Sequence, residues 1–214
     1  MEPQQILISI AVLLFAVVFH ELAHGWAAWK LGDPTAKDLG RITFNPIPHI
    51  DPFMTILLPA MLIFSGSPVV FGGAKPVPFN PRYFKDPKWG TVLVAAAGPA
   101  SNFLIAGVSL AILYLVYASG FITSLGISGA PARFIYEFFQ ASVLINVILA
   151  FFNLFPVPPL DGGRIAVGLL PDQLGEALAG LEPYGLLIIF AGLYFGLIDK
   201  YMLFVIQSVF YLFP

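Results

Sequence analysis

Three long runs of apolar residues dominate the hydropathy pattern of the chain, at 5–29, 90–118 and 133–157. Each is long enough to form a helix across a hydrocarbon core of about 30 Å, which takes roughly 20 residues. We predict three transmembrane helices at these positions. The start, MEPQQILISI, lacks the positive charges and the small-residue cleavage site of a secretory signal, so we expect the first run to be retained.

Two further apolar runs allow more than one interpretation. Residues 183–213 are divided by Asp199-Lys200 into two pieces, each short for a crossing, which predicts a tight helical hairpin, with a kinked segment as the alternative. Residues 52–64, PFMTILLPAMLIF, have Pro59 in their middle and fit a re-entrant or buried segment as well as a span. The chain shows no internal repeat, and we predict one membrane-embedded domain, 1–214, of an all-α polytopic protein.

Composition supports the membrane assignment and narrows the chemistry. Hydrophobic residues make up 58% of the chain and charged residues 10%, against about 25% charged residues in ordinary soluble domains. A net charge of -2 and the lack of any Lys/Arg run argue against nucleic acid as a partner. Because the chain has no cysteine, any metal must be held by His, Asp or Glu.

The polar residues at the end of the first run, FHELAHGWAAWK, form an H-E-x-x-H pattern. On a helix, His20 and His24 point to one side one turn apart, so their imidazoles can share one zinc ion. Glu21 lies about 100° round from His20, where it can hydrogen-bond a water on the metal and accept its proton. The spacing is therefore typical of zinc peptidases.

The depth of these histidines argues against a purely interfacial role. Trp26, Trp29 and Lys30 mark a membrane surface, and histidines near such a belt can simply be interfacial. Counting back from Lys30 at about 1.5 Å per residue, however, puts His24 roughly 9 Å and His20 roughly 15 Å deep. Unpaired ionisable groups are costly at such depths, and metal binding would explain their presence.

A third zinc ligand has to come from another part of the chain. Residues 153–165, NLFPVPPLDGGRI, end the third predicted helix with Asp161, preceded by prolines that break the helix and followed by Gly162-Gly163, which permit a sharp turn. Asp161 is thus a candidate ligand. An ordinary Asp-Gly turn is the alternative.

The two motifs together resemble the site-2 protease family, the intramembrane zinc metalloproteases. HELAH is followed in the right order by N-x-x-P…LDGG, and GGAKPVP at 72–78, AGPASN at 97–102 and LEPYG at 181–185 agree with the family. The resemblance covers most of the chain. It leaves no room for the PDZ or CBS modules of many relatives, so we expect a minimal form of the family.

The resemblance implies a role for each of six residues. His20, His24 and Asp161 would hold one Zn²⁺ per chain, and Glu21 would be the catalytic base. Asn153 and Asn102 would be polar residues near the substrate or the metal. A helix-packing hydrogen bond is the alternative for each asparagine.

A shared zinc constrains the topology of the chain. The C-terminal ends of the first and third predicted helices must lie on one side of the membrane, so 52–64 must enter and return, or be buried in protein. Positive charges flank this run on both sides, whereas the loop 119–132 has none and Arg133 at its far edge is the one exception. The positive-inside rule then places 30–51 and 66–89 in the cytoplasm and the site near the cytoplasmic face of the cell membrane.

Two features near the predicted site remain open. Residues 67–79, SPVVFGGAKPVPF, suggest either a short strand or β-hairpin at the edge of the site or an ordinary loop. A strand edge there could hold an extended substrate. His49 could stabilise an oxyanion, support another site residue or bond a backbone carbonyl.

These features favour one function over two alternatives. We predict an intramembrane zinc metalloprotease whose substrate is a single-pass membrane protein in the lipid bilayer. A metal transporter could use the same three ligands but should show further acidic or histidine residues along a path. A catalytically idle scaffold would not need Glu21. The oligomeric state is left open.

Overall fold

The computed structural model describes residues 2–64, 72–118 and 120–213. These residues include ten α-helices: α1 (Pro3–Lys30), α2 (Thr35–Asp38), α3 (Leu58–Phe64), α4 (Pro87–Leu113), α5 (Phe121–Ser124), α6 (Ala130–Asn153), α7 (Asp161–Leu169), α8 (Asp172–Ala179), α9 (Gly185–Tyr194) and α10 (Leu197–Phe210). A π-helical stretch, Pro52–Leu57, leads into α3.

Among the described residues, four helical segments are long and apolar enough to cross a membrane: Pro3–Lys30, Pro87–Val116, Ala130–Asn153 and Asp172–Tyr194. The first three overlap the three runs predicted from hydropathy. The fourth is not one of these three runs. It combines α8, a short 3-10 turn and α9, and α9 overlaps the first piece of the predicted C-terminal hairpin. The chain is therefore an all-helical, multi-pass membrane protein over the part that the structure describes.

Helices α1, α4 and α6 form an antiparallel core. Residues of α4 meet α1 in reverse order, since Val94 contacts His24 whereas Asn102 contacts Ala16. Helix α6 in turn runs antiparallel to α4, because Asn146 pairs with Asn102 while Ser142 pairs with the later Ser109. The C-terminal ends of α1 and α6 consequently lie at the end of the molecule where α4 begins.

Small residues let these helices approach each other closely. Ala16 and Ala28 of α1 are fully buried, while Leu7 and Phe15 on the outer face are 69% and 56% exposed. This distribution suits a membrane, where helix association depends on close packing because lipid is as apolar as the side chains. Small residues on the inner face of α1 thus mark where other helices pack closely against it.

Helix α10 packs along α6 in the opposite direction. The Tyr201 ring lies against Phe151 and Phe155 near the end of α6, and Val205 and Val209 join a cluster that includes Val143, nearer its start. A left-handed Gly196, with φ of 67°, separates α9 from α10 close to the predicted break at Asp199. Since α9 has ten residues, about 15 Å, a hairpin through the membrane stays a prediction.

The chain that follows the segment 52–64 returns to the start of that segment. Asp51 caps its start by accepting hydrogen bonds from the backbone N–H groups of Phe53 and Met54. Gly73 N–H then donates to Met54 O at 3.0 Å, and the Thr55 hydroxyl donates to Gly73 O at 2.6 Å. Residues 65–71 lie outside the described residues, but the two ends of the excursion are hydrogen-bonded together, as the re-entrant interpretation requires.

The predicted β-hairpin over 67–79 is wrong for its described part. Residues 72–79 form an extended loop without a strand, and 67–71 lie outside the described residues. Pro76 and Pro78 have no backbone N–H, so the edge of the chain on which they lie cannot donate to a sheet. The loop alternative is the one observed.

Candidate metal centre

Helices α1 and α7 bring three candidate metal-ligand atoms together. His20 Nε2 and His24 Nε2 lie 3.0 Å apart, and Asp161 Oδ2 lies 3.0 Å from the first and 3.2 Å from the second. All three residues are buried. Asp161 is the first residue of α7, where the positive end of the helix dipole stabilises a carboxylate. The predicted ligand set thus combines two histidines on one turn of α1 with an aspartate 137 to 141 positions later in the sequence.

The other nitrogen of each ring shows which atoms carry protons. His20 Nδ1 lies 2.6 Å from Asn102 Oδ1, and His24 Nδ1 lies 2.7 Å from Val94 O. Both partners only accept hydrogen bonds, so each Nδ1 carries the proton and each Nε2 presents a lone pair. Asp161 Oδ2 is buried and receives no hydrogen bond from the described residues.

Three buried lone-pair atoms without a proton between them repel one another unless a cation joins them. In a tetrahedral zinc site, ligands at about 2.0–2.2 Å from the metal lie roughly 3.3 to 3.6 Å from each other. The observed separations of 3.0 to 3.2 Å are slightly shorter, so small side-chain movements bring the three atoms to this geometry. The donor set of two imidazoles and one carboxylate is also that of a catalytic zinc site, so the residues present fit the metal.

Helix α4 leaves space beside these atoms because residue 98 is glycine. A Cβ at Gly98 would lie 2.6 Å from His20 Nε2 and would also clash with His24 Nε2. The backbone of α4 therefore comes closer to these atoms than a residue with a side chain would allow. This close approach also places Val94 O on the His24 ring and gives the AGPASN motif a structural reason.

The turn that delivers Asp161 depends on glycine for a different reason from the one predicted. Gly162 and Gly163 are helical residues of α7, and neither has positive φ. A Cβ on Gly163 would overlap the backbone at Val157 and Pro158, and one on Gly162 would overlap Leu154. The two glycines thus allow α7 to pack directly on the preceding turn.

Glu21 is oriented by a backbone contact. Its Oε2 accepts a hydrogen bond from Val77 N–H at 2.8 Å, which links α1 to the extended loop after the re-entrant segment. The second oxygen, Oε1, receives no hydrogen bond from the described part of the chain. Glu21 is half-buried, on the helix that carries both histidines.

Asn102 and Asn153 occupy different environments. Asn102 is fully buried and binds His20, Ala16 O and Asn146 through its amide, so it orients a ligand. Asn153 ends α6 and donates to Leu149 O at 2.9 Å. Their roles toward substrate stay predictions.

The sequence analysis missed Asn146. This fully buried residue accepts from Asn102 Nδ2 at 2.8 Å and donates to Ser142 O at 2.9 Å, which fixes the amide that holds His20. Its signal was available in the sequence, since an asparagine in the middle of an apolar span is expected to face the helix interior.

His49 is almost fully buried, and its Nε2 lies 3.0 Å from Thr43 O. Of the three roles considered for it, this contact matches the bond to a backbone carbonyl. It does not belong to the group formed by His20, His24 and Asp161.

Comparison with known proteins agrees with this geometry. The model of Peptidase family M50 matches residues 8–129 and 116–179. The chain belongs to this family. The resemblance to site-2 proteases is therefore confirmed, and the protein is a zinc metalloprotease of the site-2 type.

Named relatives agree with the family assignment. The chain is 39% identical over 194 residues to "Putative zinc metalloprotease YwhC" of Bacillus subtilis, covering 91% of this chain and 83% of the relative. It is 28% identical to "Zinc metalloprotease MJ0392" of Methanocaldococcus jannaschii over 202 residues, 93% of this chain and 46% of that protein. No solved structure matches the chain.

Proposed function

We propose that this M50 peptidase hydrolyses peptide bonds within or near the transmembrane segment of single-pass membrane proteins, using one zinc ion held by His20, His24 and Asp161. The arrangement that supports the proposal is the group of three potential ligand atoms on and beside a helix long enough to cross the membrane. At a depth of roughly 9 to 15 Å, a metal there reaches bonds inside the bilayer.

The chain's own residues supply proton transfer and ligand orientation. Bound zinc would act as a Lewis acid and lower the pKa of a coordinated water. Glu21, held through Oε2 by Val77 N–H, takes up a proton at Oε1 and returns it to the leaving amine. Asn102 and Val94 O keep both imidazoles in the tautomer that leaves Nε2 free.

A cavity of about 440 Å³ suits a membrane segment as substrate, and its lining reaches α1 one turn before the group formed by His20, Glu21 and His24 without including them. It is bordered by α1, α6, α10 and the two ends of the re-entrant excursion, and its wall on α1 includes Val17 and Val18, one turn before Glu21. Almost all lining side chains are apolar, with His49, Thr55 and Asp199 as the polar exceptions. An apolar peptide segment with an unwound backbone can occupy such a space and extend from it along α1 toward Glu21.

We further propose that the site lies near the cytoplasmic face of the cell membrane. The antiparallel core puts 30–51 and 72–89 at one end of the molecule, with most of the positive charges. Arg133, the exception at the other end, is paired with Glu137 at 2.7 Å. By the positive-inside rule the charge-rich end faces the cytoplasm.

Single-cysteine labelling can test this orientation because the chain has no native cysteine. Cysteines at positions 37 and 85 should both react with an impermeant reagent only when the cytoplasmic face is opened. A cysteine at position 128, in the loop without positive charge, should react from the outside. Opposite accessibility of positions 37 and 85 would exclude the re-entrant topology.

The transporter alternative has less support. In the described parts of the long helices, the polar side chains deeper in the helix core than His20 include two asparagines and two serines. These are neutral, and they form the hydrogen bonds Asn102–Asn146, Ser109–Ser142 and Asn146 to the Ser142 carbonyl. A metal path should instead offer further charged or histidine ligands.

A cleavage assay of the Glu21→Gln variant distinguishes the proposed protease from a metal transporter and from a catalytically idle scaffold. The amide keeps the size of the side chain and leaves the zinc ligands intact, but it cannot accept the proton. We expect normal zinc content and a loss of rate at or beyond the upper end of about 10² to 10⁴. The measurement is cleavage of a single-pass membrane substrate by purified protein at matched zinc content. Equal rates for the two proteins would refute the assignment of Glu21 as the base.

A further inference from the structure

The extended loop 75–80, which we term the clasp, is held at three points by side chains from α1 and the region just after it. Arg41 Nη2 donates to Lys75 O at 2.7 Å. Val77 N–H donates to Glu21 Oε2 at 2.8 Å. Asn80 N–H donates to Asp33 Oδ2 at 2.5 Å. The contact with the catalytic carboxylate therefore lies between two anchors.

Asp33 is an unusual anchor because its carboxylate is fully buried. Burying a charge is costly unless it is hydrogen-bonded, and Oδ1 accepts from both Thr35 N–H and the Thr35 hydroxyl while Oδ2 accepts from Asn80. The neighbouring Asp38, by contrast, is exposed at the end of α2. The buried carboxylate thus joins the end of α1 to the far end of the clasp.

Arg41 anchors the other end. It is 8% exposed and reaches the clasp with one guanidinium nitrogen. Between the anchors, Pro76 and Pro78 fix φ and favour extended conformations in the residues before them. In an extended chain the pattern repeats every second residue, so the Lys75 carbonyl and the Val77 N–H point to the same edge. The position at which Arg41 holds Lys75 therefore also determines the position of the Val77 N–H.

We propose that Asp33 and Arg41 are positioning residues for catalysis: they hold the clasp so that Val77 N–H fixes Oε2 of Glu21 and leaves Oε1 free to exchange the proton. The inference rests on the proposed function for its effect on rate. The geometric part, that both anchors act through Val77, can be tested without any activity.

The rate test uses Asp33→Asn and Arg41→Lys, with Asp38→Asn and Arg82→Lys as matched controls on exposed residues. The asparagine loses an acceptor, and the lysine lacks the planar guanidinium. Because small misplacements of a catalytic group are costly, we expect kcat to fall by about 10- to 100-fold in the first two variants. KM, zinc content and the two controls should not change.

A double variant distinguishes positioning of Glu21 from general damage. In a Glu21→Gln background, Asp33→Asn should cause no further loss, because the group that it positions no longer accepts the proton. An undiminished additional loss, a fall in zinc content, or a rise in KM at unchanged kcat would each overturn the proposal. The last result would assign the clasp to substrate binding instead.

Hydrogen exchange tests the same link independently of cleavage. Because residues 76 and 78 are prolines, the clasp has four backbone amides, at positions 75, 77, 79 and 80. Asp33→Asn and Arg41→Lys should each speed exchange of the Val77 amide at least tenfold, as should Glu21→Ala, whereas Asp38→Asn should not. Unchanged exchange at Val77 in Asp33→Asn refutes the proposal even if the wild-type protein cleaves substrate. Faster exchange without any wild-type cleavage would refute the proposed function alone.

Discussion

The three proposed metal ligands and the proposed catalytic base are held in different ways. His20, His24 and Asp161 are held by closely packed helices: the backbone of α4 lies against both histidines at Gly98, and α7 lies against the preceding turn at Gly162 and Gly163. Glu21 is fixed by one hydrogen bond from an extended loop. Packing in an interior changes little without a large free-energy cost, whereas a loop held by a few hydrogen bonds can shift at lower cost. Metal binding and proton transfer should therefore respond to different substitutions.

The largest effect is expected on the metal side, from Asp161→Ala. Removing the carboxylate leaves two imidazoles and no charged ligand, so zinc content should fall strongly and cleavage should be lost. Asp172→Asn, which removes an exposed carboxylate at the start of α8, is the control. Zinc analysis of the purified variants gives the result, and wild-type zinc content in Asp161→Ala would exclude this residue as a ligand.

Gly98→Ala tests whether helix packing controls the metal site. The added methyl group would overlap the Nε2 atoms of both histidines, so we expect zinc affinity to fall by about 10- to 100-fold, the range seen when groups around metal ligands are disturbed. Gly107→Ala in the same helix has open space around the new Cβ and should leave affinity unchanged. Competition with a zinc chelator measures both variants, and equal affinities would show that α4 can move away from the ligands.

Enlarging a side chain in the cavity should have the smallest effect. Val17→Phe fills part of the cavity, whose lining includes Val17 but none of the proposed metal ligands, so KM should rise about three- to tenfold while kcat and zinc content stay the same. Leu7→Phe, on the 69% exposed outer face of the same helix, is the matched control. If the two variants have the same KM, the cavity is not where substrate binds.

Local patterns predicted the parts of the site that lie within one element. The spacing of His20 and His24 is enough to place two imidazoles on one side of a helix, because the helical period is fixed by the backbone. The long apolar runs likewise located α1, α4 and α6. The same reasoning failed at 72–79, where β-branched and aromatic residues suggested a strand but two prolines removed the donors that a sheet needs.

The sequence by itself determined the membrane class, the three core helices, the chemistry of the ligand set and the requirement that 52–64 return to its starting side. Only the tertiary structure decided how close α4 comes at Gly98, that Asn146 supports Asn102, and that Asp33 and Arg41 brace the loop on Glu21. These contacts join residues 34 to 56 positions apart within the clasp region and 44 apart between the asparagines. Helical and strand periods act over a few residues, so contacts at these separations are set by how the helices pack.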